Sequence, residues 1–191
     1  MQEHRSAGPS ACLTAARLAL AVGTLVLGGP PQSRATEPAP PPVEGWHSAT
    51  LGLRLLPPAG WTLAPGPSAD SVLLRPRRGK GQISLLSLTL DPAGGRAEPG
   101  LGDLVDAALA SLKEKVTKFK LLERREAAVA KLPAEEIYFR GKVEGEKYRW
   151  VQTIFVCGST QVVLMYTAPD ETFPRFLGDY DQVVRSVRIL P

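Results

Sequence analysis

The stretch that decides the fold is Glu146–Ala168, which reads EKYRWVQTIFV-CGS-TQVVLMYTA. Side chains alternate between the two faces of a strand. In the first segment, one face would carry Tyr148, Trp150, Gln152, Ile154 and Val156, and the other Arg149, Val151, Thr153 and Phe155. Cys157-Gly158-Ser159 forms a tight turn, so Thr160–Ala168 is expected to pair back as a hairpin. The outer part of each face is polar, so we expect the sheet to be covered more fully at one end.

The same alternation extends outward from this hairpin in both directions along the chain. Short turns rich in Gly and Pro separate the segments, as is typical of antiparallel strands. The further strands predicted in this way are Thr50–Leu55, Trp61–Leu63, Ser71–Arg75, Gln82–Leu90, Leu121–Val129, Pro133–Gly141 and Ser186–Leu190.

Two segments have a helical period instead. From Leu101 to Phe119, apolar residues recur three and four positions apart and form one stripe, which predicts a long amphipathic helix that docks on the sheet. Phe173–Val184 shows a similar pattern and predicts a second, C-terminal helix. The sum is an α+β domain with a mostly antiparallel β-sheet and both helices packed on it, because the short connections leave no room for parallel crossovers.

The N-terminal region is typical of an export signal. Arg5 and Arg17 precede the apolar run 18–27, and Ser33-Arg34-Ala35 offers small residues for signal peptidase. The ten residues of the run span only ~15 Å as a helix, about half of a bilayer core. We therefore predict a cleaved signal peptide at 1–35, a Pro-rich linker at 36–45, and one domain at 46–191. The protein is expected to be exported, to the periplasm or outside the cell.

Composition narrows the function classes further. The 191 residues carry 23 Lys and Arg against 19 Asp and Glu, a net charge of +4, which is too small an excess to indicate a nucleic-acid binder. After cleavage at Ala35 only Cys157 remains, so no internal disulfide can form. About 150 residues can build a sufficient core without one, and we expect a monomer.

Five stretches of the chain resemble the PsbP-like superfamily and, within it, the DcrB-like bacterial proteins. They are LRLLPPAGW (53–61), the helix Leu101–Phe119, LPAEEIYFR (132–140), YRWVQTIFVCGSTQVVLMYTAP (148–169) and YDQVVRSVRI (180–189). All five are set by packing and turns, and none is a catalytic motif. The resemblance implies a PsbP-like fold and docking without catalysis, and it carries over no binding residue.

Candidate chemistry in the sequence is sparse. His47 lies beside the linker, far from any partner for a catalytic pair, and is expected to be a surface residue. Cys157 ends a strand and is expected to be an inert, half-buried thiol. Glu135 and Glu136 are neighbours in a strand, so they point to opposite faces. We place Asp170-Glu171 at the start of the C-terminal helix. We therefore predict no catalytic residue, no metal site and no cofactor.

The strongest functional signal is the basic turn formed by Arg75, Arg77, Arg78 and Lys80. Four positive charges in six residues could meet an acidic partner or anionic headgroups, including a peripheral contact with a membrane. A solvated turn that keeps strands from aggregating would look the same in sequence. The lysines at 113, 115, 118 and 120 are interpreted as a solvated helix face.

Three functions are compatible with these observations. The first is an exported, non-catalytic binding or accessory domain of the bacterial envelope, which docks a protein or an amphipathic ligand. The second is a chaperone-like module that shields an apolar segment of a secreted or membrane protein, which needs an exposed apolar groove. The third, an enzyme that uses carboxylates or Cys157, has the least support.

Overall fold

The computed structural model describes residues 45–90 and 99–190. The predicted signal peptide and, apart from Gly45, the predicted linker lie outside these residues. The strands are β1 (Trp46–Ser48), β2 (Leu53–Leu55), β3 (Trp61–Pro65), β4 (Val72–Pro76), β5 (Gln82–Thr89), β6 (Thr117–Val129), β7 (Leu132–Val143), β8 (Glu146–Cys157), β9 (Thr160–Pro169) and β10 (Arg188–Ile189). Helix α1 spans Leu101–Lys115, and helix α2 spans Leu177–Ser186 after a 3₁₀ turn at Phe173–Phe176.

Seven strands form one antiparallel sheet in the order β3-β4-β5-β9-β8-β7-β6. The predicted hairpin is present as β8 and β9, with Cys157 opposite Thr160. It lies at the centre of the sheet because β5 pairs with β9 along its whole length, from Gln82 opposite Thr167 to Thr89 opposite Thr160. The α+β class and the antiparallel sheet are thus confirmed.

The sheet has an apolar core on each face. Helix α1 covers β6 to β8 on one face, where Trp150 and Ile154 lie in the same cluster as Leu109 and Leu112. The opposite face carries Val151 and Phe155, packed with residues of α2, the 3₁₀ turn and a small sheet of order β1-β2-β10. The burial of β8 rises from its exposed N-terminal end to a buried centre, which agrees with the predicted uneven cover.

Helix α1 is shorter than predicted. It ends at Lys115, because Val116 is already extended (φ −101°, ψ 112°) and Lys118 has a positive φ of 54°. β-branched Val116 and Thr117 favour strand geometry. The apolar stripe predicted too long a helix, because Val116 and Phe119 pack into the same apolar cluster as the helix. They do so after the backbone has left the helical conformation.

Two further predictions about the elements were incomplete. Strand β1 was missed, because three residues are too short to show a period. The predicted C-terminal helix is broken into the 3₁₀ turn and α2 at Leu177. Within the described residues, no helix is long and apolar enough to span a membrane.

Candidate functional site

The predicted basic residues surround the connection between β4 and β5. Arg75 lies near the end of β4, and Arg77, Arg78 and Lys80 follow in the turn, all exposed. The turn is anchored by the backbone of Arg77, whose N–H donates to the Gly60 carbonyl at 2.9 Å. The backbone of the turn is therefore held in place beneath these exposed residues.

Gly79 lets this turn close against the protein. It has a positive φ of 101°, and a Cβ there would lie 3.0 Å from the ring of Phe176, so glycine is required for both backbone and space. The guanidinium of Arg175 lies over the same ring, 5.1 Å from its centre. Arg175 therefore adds a fifth positive charge from a distant part of the sequence.

Strand pairing brings more cations to the same end of the sheet. Arg140 of β7 stands directly opposite Lys120 of β6 on one side and Arg149 of β8 on the other. Lys142 is opposite Lys147. Like charges that face each other across strands are destabilising. The fold thus contains rows of positive charge that sheet formation alone does not favour.

We call this surface the basic end and define it as residues 75–80, 113–120, 140–149 and 170–179. It contains 13 Lys and Arg against six Asp and Glu, a net charge of +7. The remaining described residues contain six Lys and Arg against eight Asp and Glu, a net charge of −2. The small net charge of the chain therefore hides a strongly uneven distribution.

Arg149 of the basic end is neutralised by an ion pair. Arg149 donates from Nε to Asp170 at 2.8 Å and lies over the ring of Phe173 at 5.3 Å. Asp170 lies just before the 3₁₀ turn with which the C-terminal helical segment begins, and its carboxylate pairs with Arg149. By contrast, Arg78, Lys120, Arg140 and Lys142 form no ion pair within the described part of the chain.

The most elaborate polar cluster surrounds Glu136, which is 6 % exposed. Its carboxylate accepts from Arg125 at 2.6 and 2.9 Å and from Thr153 at 3.2 Å. Thr153 in turn contacts the hydroxyl of Tyr180 at 2.6 Å, which donates to the Leu164 carbonyl at 3.2 Å. This network ties β6, β7, β8 and α2 together, and its donors already occupy both carboxylate oxygens.

The pKa shifts around this cluster follow from burial. Burial and the nearby Glu136 raise the pKa of Asp181. Burial raises the pKa of Tyr138 to about 12 and that of the Tyr180 phenol well above its ordinary value. A phenol with its ordinary pKa of 10 is already protonated at neutral pH, so both hydroxyls remain hydrogen-bond donors there.

Glu135 points to the opposite face from Glu136, as predicted. It is bound by Arg124, which also donates to Asp106 of α1 at 2.6 Å. These contacts raise the pKa of the Arg124 guanidinium. The bridge fixes α1 to the edge of the sheet and leaves Glu135 no separate chemical role.

The other candidate residues lie apart from one another. His47 is exposed in β1 opposite Arg54, and Cys157 is half-buried with its Sγ 3.9 Å from the Leu51 carbonyl. No group of three or more His, Cys, Asp or Glu among the described residues is arranged to hold a metal ion.

Exposed large apolar side chains of the described residues occur in two neighbouring pairs and at Leu56, which is 43 % exposed. Leu121 and Leu122 are 38 % and 42 % exposed where β6 changes register against β7, one residue beyond Lys120. The second pair is Ile189 and Leu190, which are 43 % and 37 % exposed. Separately, a shallow open depression is lined by Trp46, Leu63, Ala64, Pro65 and Val72, among others.

Sequence reasoning found the turn but missed most of the basic end. Lysines 113, 115, 118 and 120 are not one helix face, since the last two belong to β6. Arg140 and Lys142 were not predicted as part of the site, because only the strand register places them opposite other cations. Period-two spacing of basic residues at strand ends was the available signal.

The fold has solved relatives, although neither family models nor curated proteins match the sequence. The crystal structure of LpqN, a protein involved in cell envelope biogenesis of Mycobacterium tuberculosis, aligns with a TM-score of 0.58 at 16 % identity, over 73 % of this chain and 83 % of LpqN. The solution structure of the cyanobacterial PsbP, CyanoP from Synechocystis, aligns with a TM-score of 0.57 at 12 % identity. The chain has a PsbP-like fold. That alignment covers 84 % of this chain and 99 % of CyanoP.

The likeness defines architecture alone, because the identities are low. It confirms the PsbP-like part of the resemblance. The DcrB-like assignment stays a prediction.

Proposed function

We propose that the protein is an exported, non-catalytic binding domain of the bacterial envelope that docks a protein or an amphipathic ligand. The observation that carries the proposal is the charge segregation: a net of +7 at the basic end against −2 over the rest of the described chain. Such a field steers an anionic partner toward one surface. The likeness in fold to LpqN, a protein of envelope biogenesis, supports this setting.

The polar clusters support a role without catalysis. The carboxylates of Glu135 and Glu136 are held by arginines that join elements of the fold. Among the described residues, the contacts of Cys157 and His47 include no base that could activate a nucleophile. The ion pairs of Glu135 and Glu136 therefore stabilise the sheet.

Cross-linking in native envelopes tests the proposal. The full chain would be compared with an Arg78→Gln/Lys80→Gln variant and with an Arg54→Gln/Lys131→Gln control, which removes the same charge away from the basic end. We expect a defined cross-linked species, either to a protein or to lipid, that only the first variant loses. Identical patterns for all three chains would refute docking through the basic end.

A chaperone-like role has one supporting observation, the open apolar depression beside Trp46. An apolar peptide shielded there should shift the Trp46 fluorescence to shorter wavelength, because it removes water from the partly exposed indole. A Trp46→Phe variant would remove that response, and Trp61→Phe serves as the control because Trp61 is buried. Unchanged fluorescence at saturating peptide would count against this second candidate.

A further inference from the structure

We infer that the basic end binds the anionic surface of a lipid bilayer. The inference rests on the proposed function and names the partner of the same surface. Phosphate headgroups supply the shared chemistry, and the bilayer is the source to which the charge geometry points.

The first argument is the extent of the positive surface. Its residues run from the end of β4 and the β4–β5 turn to the ends of β8, β7 and β6, and the uncharged end of β9 lies between the turn and β8. From β4 to β6, five strand spacings of about 4.8 Å make this roughly 24 Å. A small anion would contact only a fraction of that width. A layer of headgroups presents negative charge over the whole of it.

The second argument is the shape of the surface. Two shallow depressions of the described residues lie elsewhere, one beside Trp46 and Val72 and the other beside His47 and Arg54. Arg78, Lys80 and Arg140 extend from turns and strand ends as exposed side chains. Separate, long and solvated cations suit a fluid surface whose headgroups can adjust to them.

The third argument is the apolar pair beside the cations. Lys118, Lys120, Leu121 and Leu122 belong to one run, KFKLL, at the edge of the sheet. Two register shifts against β7 fall within it, and Leu121 and Leu122 are more than a third exposed. Basic residues next to exposed leucines are typical of surfaces that lie at the headgroup boundary. The apolar pair would enter that boundary while the lysines contact phosphate.

The fourth argument is the arrangement of like charges. Arg140 faces Lys120 and Arg149, and Lys142 faces Lys147. Sheet formation gains nothing from these pairs. An anionic surface relieves the repulsion between Arg140 and Lys120 and between Lys142 and Lys147, whereas Arg149 already has Asp170 as a negative neighbour.

Vesicle co-sedimentation of the full chain tests the inference. Vesicles of phosphatidylcholine with about 30 % phosphatidylglycerol supply a negative surface, and pure phosphatidylcholine vesicles report any uncharged association. Each basic residue near such a surface contributes about fivefold in partition, so Arg78→Gln/Lys80→Gln and Arg140→Gln/Lys142→Gln should each lose about 25-fold. The Arg54→Gln/Lys131→Gln control should stay within about twofold of the unchanged chain.

Further arms separate the possible sources of charge. Raised salt should weaken binding, since it screens exposed charges. Free inorganic phosphate at the same total charge should compete poorly. Melting curves of all variants would confirm that they fold. Equal binding to both vesicle types, equal losses in the control variant, or no binding would overturn the inference.

The two proposals fail in different ways. If vesicles do not bind but an envelope protein still cross-links in an Arg78- and Lys80-dependent manner, the partner is an acidic protein and only the bilayer inference is wrong. If neither vesicles nor envelope components distinguish the variants, docking through the basic end is wrong as well.

Discussion

Gly141→Ala is expected to destabilise the protein, although alanine is normally the better residue inside a strand. Gly141 lies in β7 between Arg140 and Lys142, and its backbone is buried beneath the corner where α1 meets β6. A Cβ there would overlap Cγ1 of Val116 and lie 3.0 Å from the Thr117 carbonyl oxygen. The corner can approach the sheet this closely only because position 141 has no side chain.

The magnitude follows from two opposing effects. Overpacking a buried contact costs about 1–3 kcal/mol. Removing the excess conformational freedom of glycine returns about 0.5–1 kcal/mol. Val116 is 3 % exposed and β-branched, so it cannot rotate away without an off-rotamer penalty. Because the Cβ would overlap Val116 outright, we take the upper half of the overpacking cost, about 2–3 kcal/mol. The net expectation is a loss of about 1–2.5 kcal/mol, or roughly 3–10 °C in Tm for a domain of this size.

Urea unfolding of a double-mutant cycle measures the effect. Val116→Ala removes the overlapping methyl group, so Gly141→Ala should cost at least about 1 kcal/mol less in that background. Gly178→Ala is the matched control, because a Cβ there meets nothing within 4 Å in α2 and should stabilise by about 0.5–1 kcal/mol. A neutral Gly141→Ala, or the same cost in both backgrounds, would refute the argument from close approach.

Three further changes probe the polar contacts. Glu136→Gln should cost about 1–3 kcal/mol in urea unfolding, because an amide has one acceptor oxygen, whereas Glu136 accepts from Arg125 at Oε2 and from Thr153 at Oε1. Asp181→Asn should raise Tm at pH 7. The pKa of Asp181 is higher in the folded state than in the unfolded chain, so ionisation of this carboxyl opposes folding. The gain in Tm should vanish below pH 3.8, the ordinary pKa of the carboxyl. Arg124→Ala should cost about 0.5–1 kcal/mol, and less in high salt, since its side chain is 34 % exposed. A neutral Glu136→Gln, a pH-independent Asp181→Asn difference or a salt-independent Arg124→Ala would contradict these expectations.

Local pattern was sufficient to predict most of the sheet. The hairpin Glu146–Ala168 alternates over its full length, and both of its faces are buried as that alternation requires. The order of the strands could not be predicted from the sequence, because the pairing of β5 with β9 joins residues about 80 positions apart. Only tertiary packing selects that partner.

The end of α1 shows a different limit of sequence reasoning. Val116 and Phe119 continue the apolar period of the helix and lie in the same core, yet the backbone leaves the helix at Lys115. Periodicity reports which side chains are buried and not which backbone conformation buries them. The candidate site was partly missed for the same reason, since Arg140 and Lys142 become neighbours of other cations only through strand register.

Packing explains why the fold is shared at 16 % identity, because apolar cores accept many combinations of similar volume. It does not explain Arg140 between Lys120 and Arg149, since a sequence shaped for folding alone would place opposite charges there. Arg140→Glu therefore separates folding from binding. The new cross-strand pair with Lys120 should stabilise the sheet by about 0.2–1 kcal/mol in urea unfolding, because Arg149 is already paired with Asp170, while partition onto anionic vesicles falls. If the variant loses stability and keeps its binding, the charge row belongs to the architecture of the sheet and the basic end is not the docking surface.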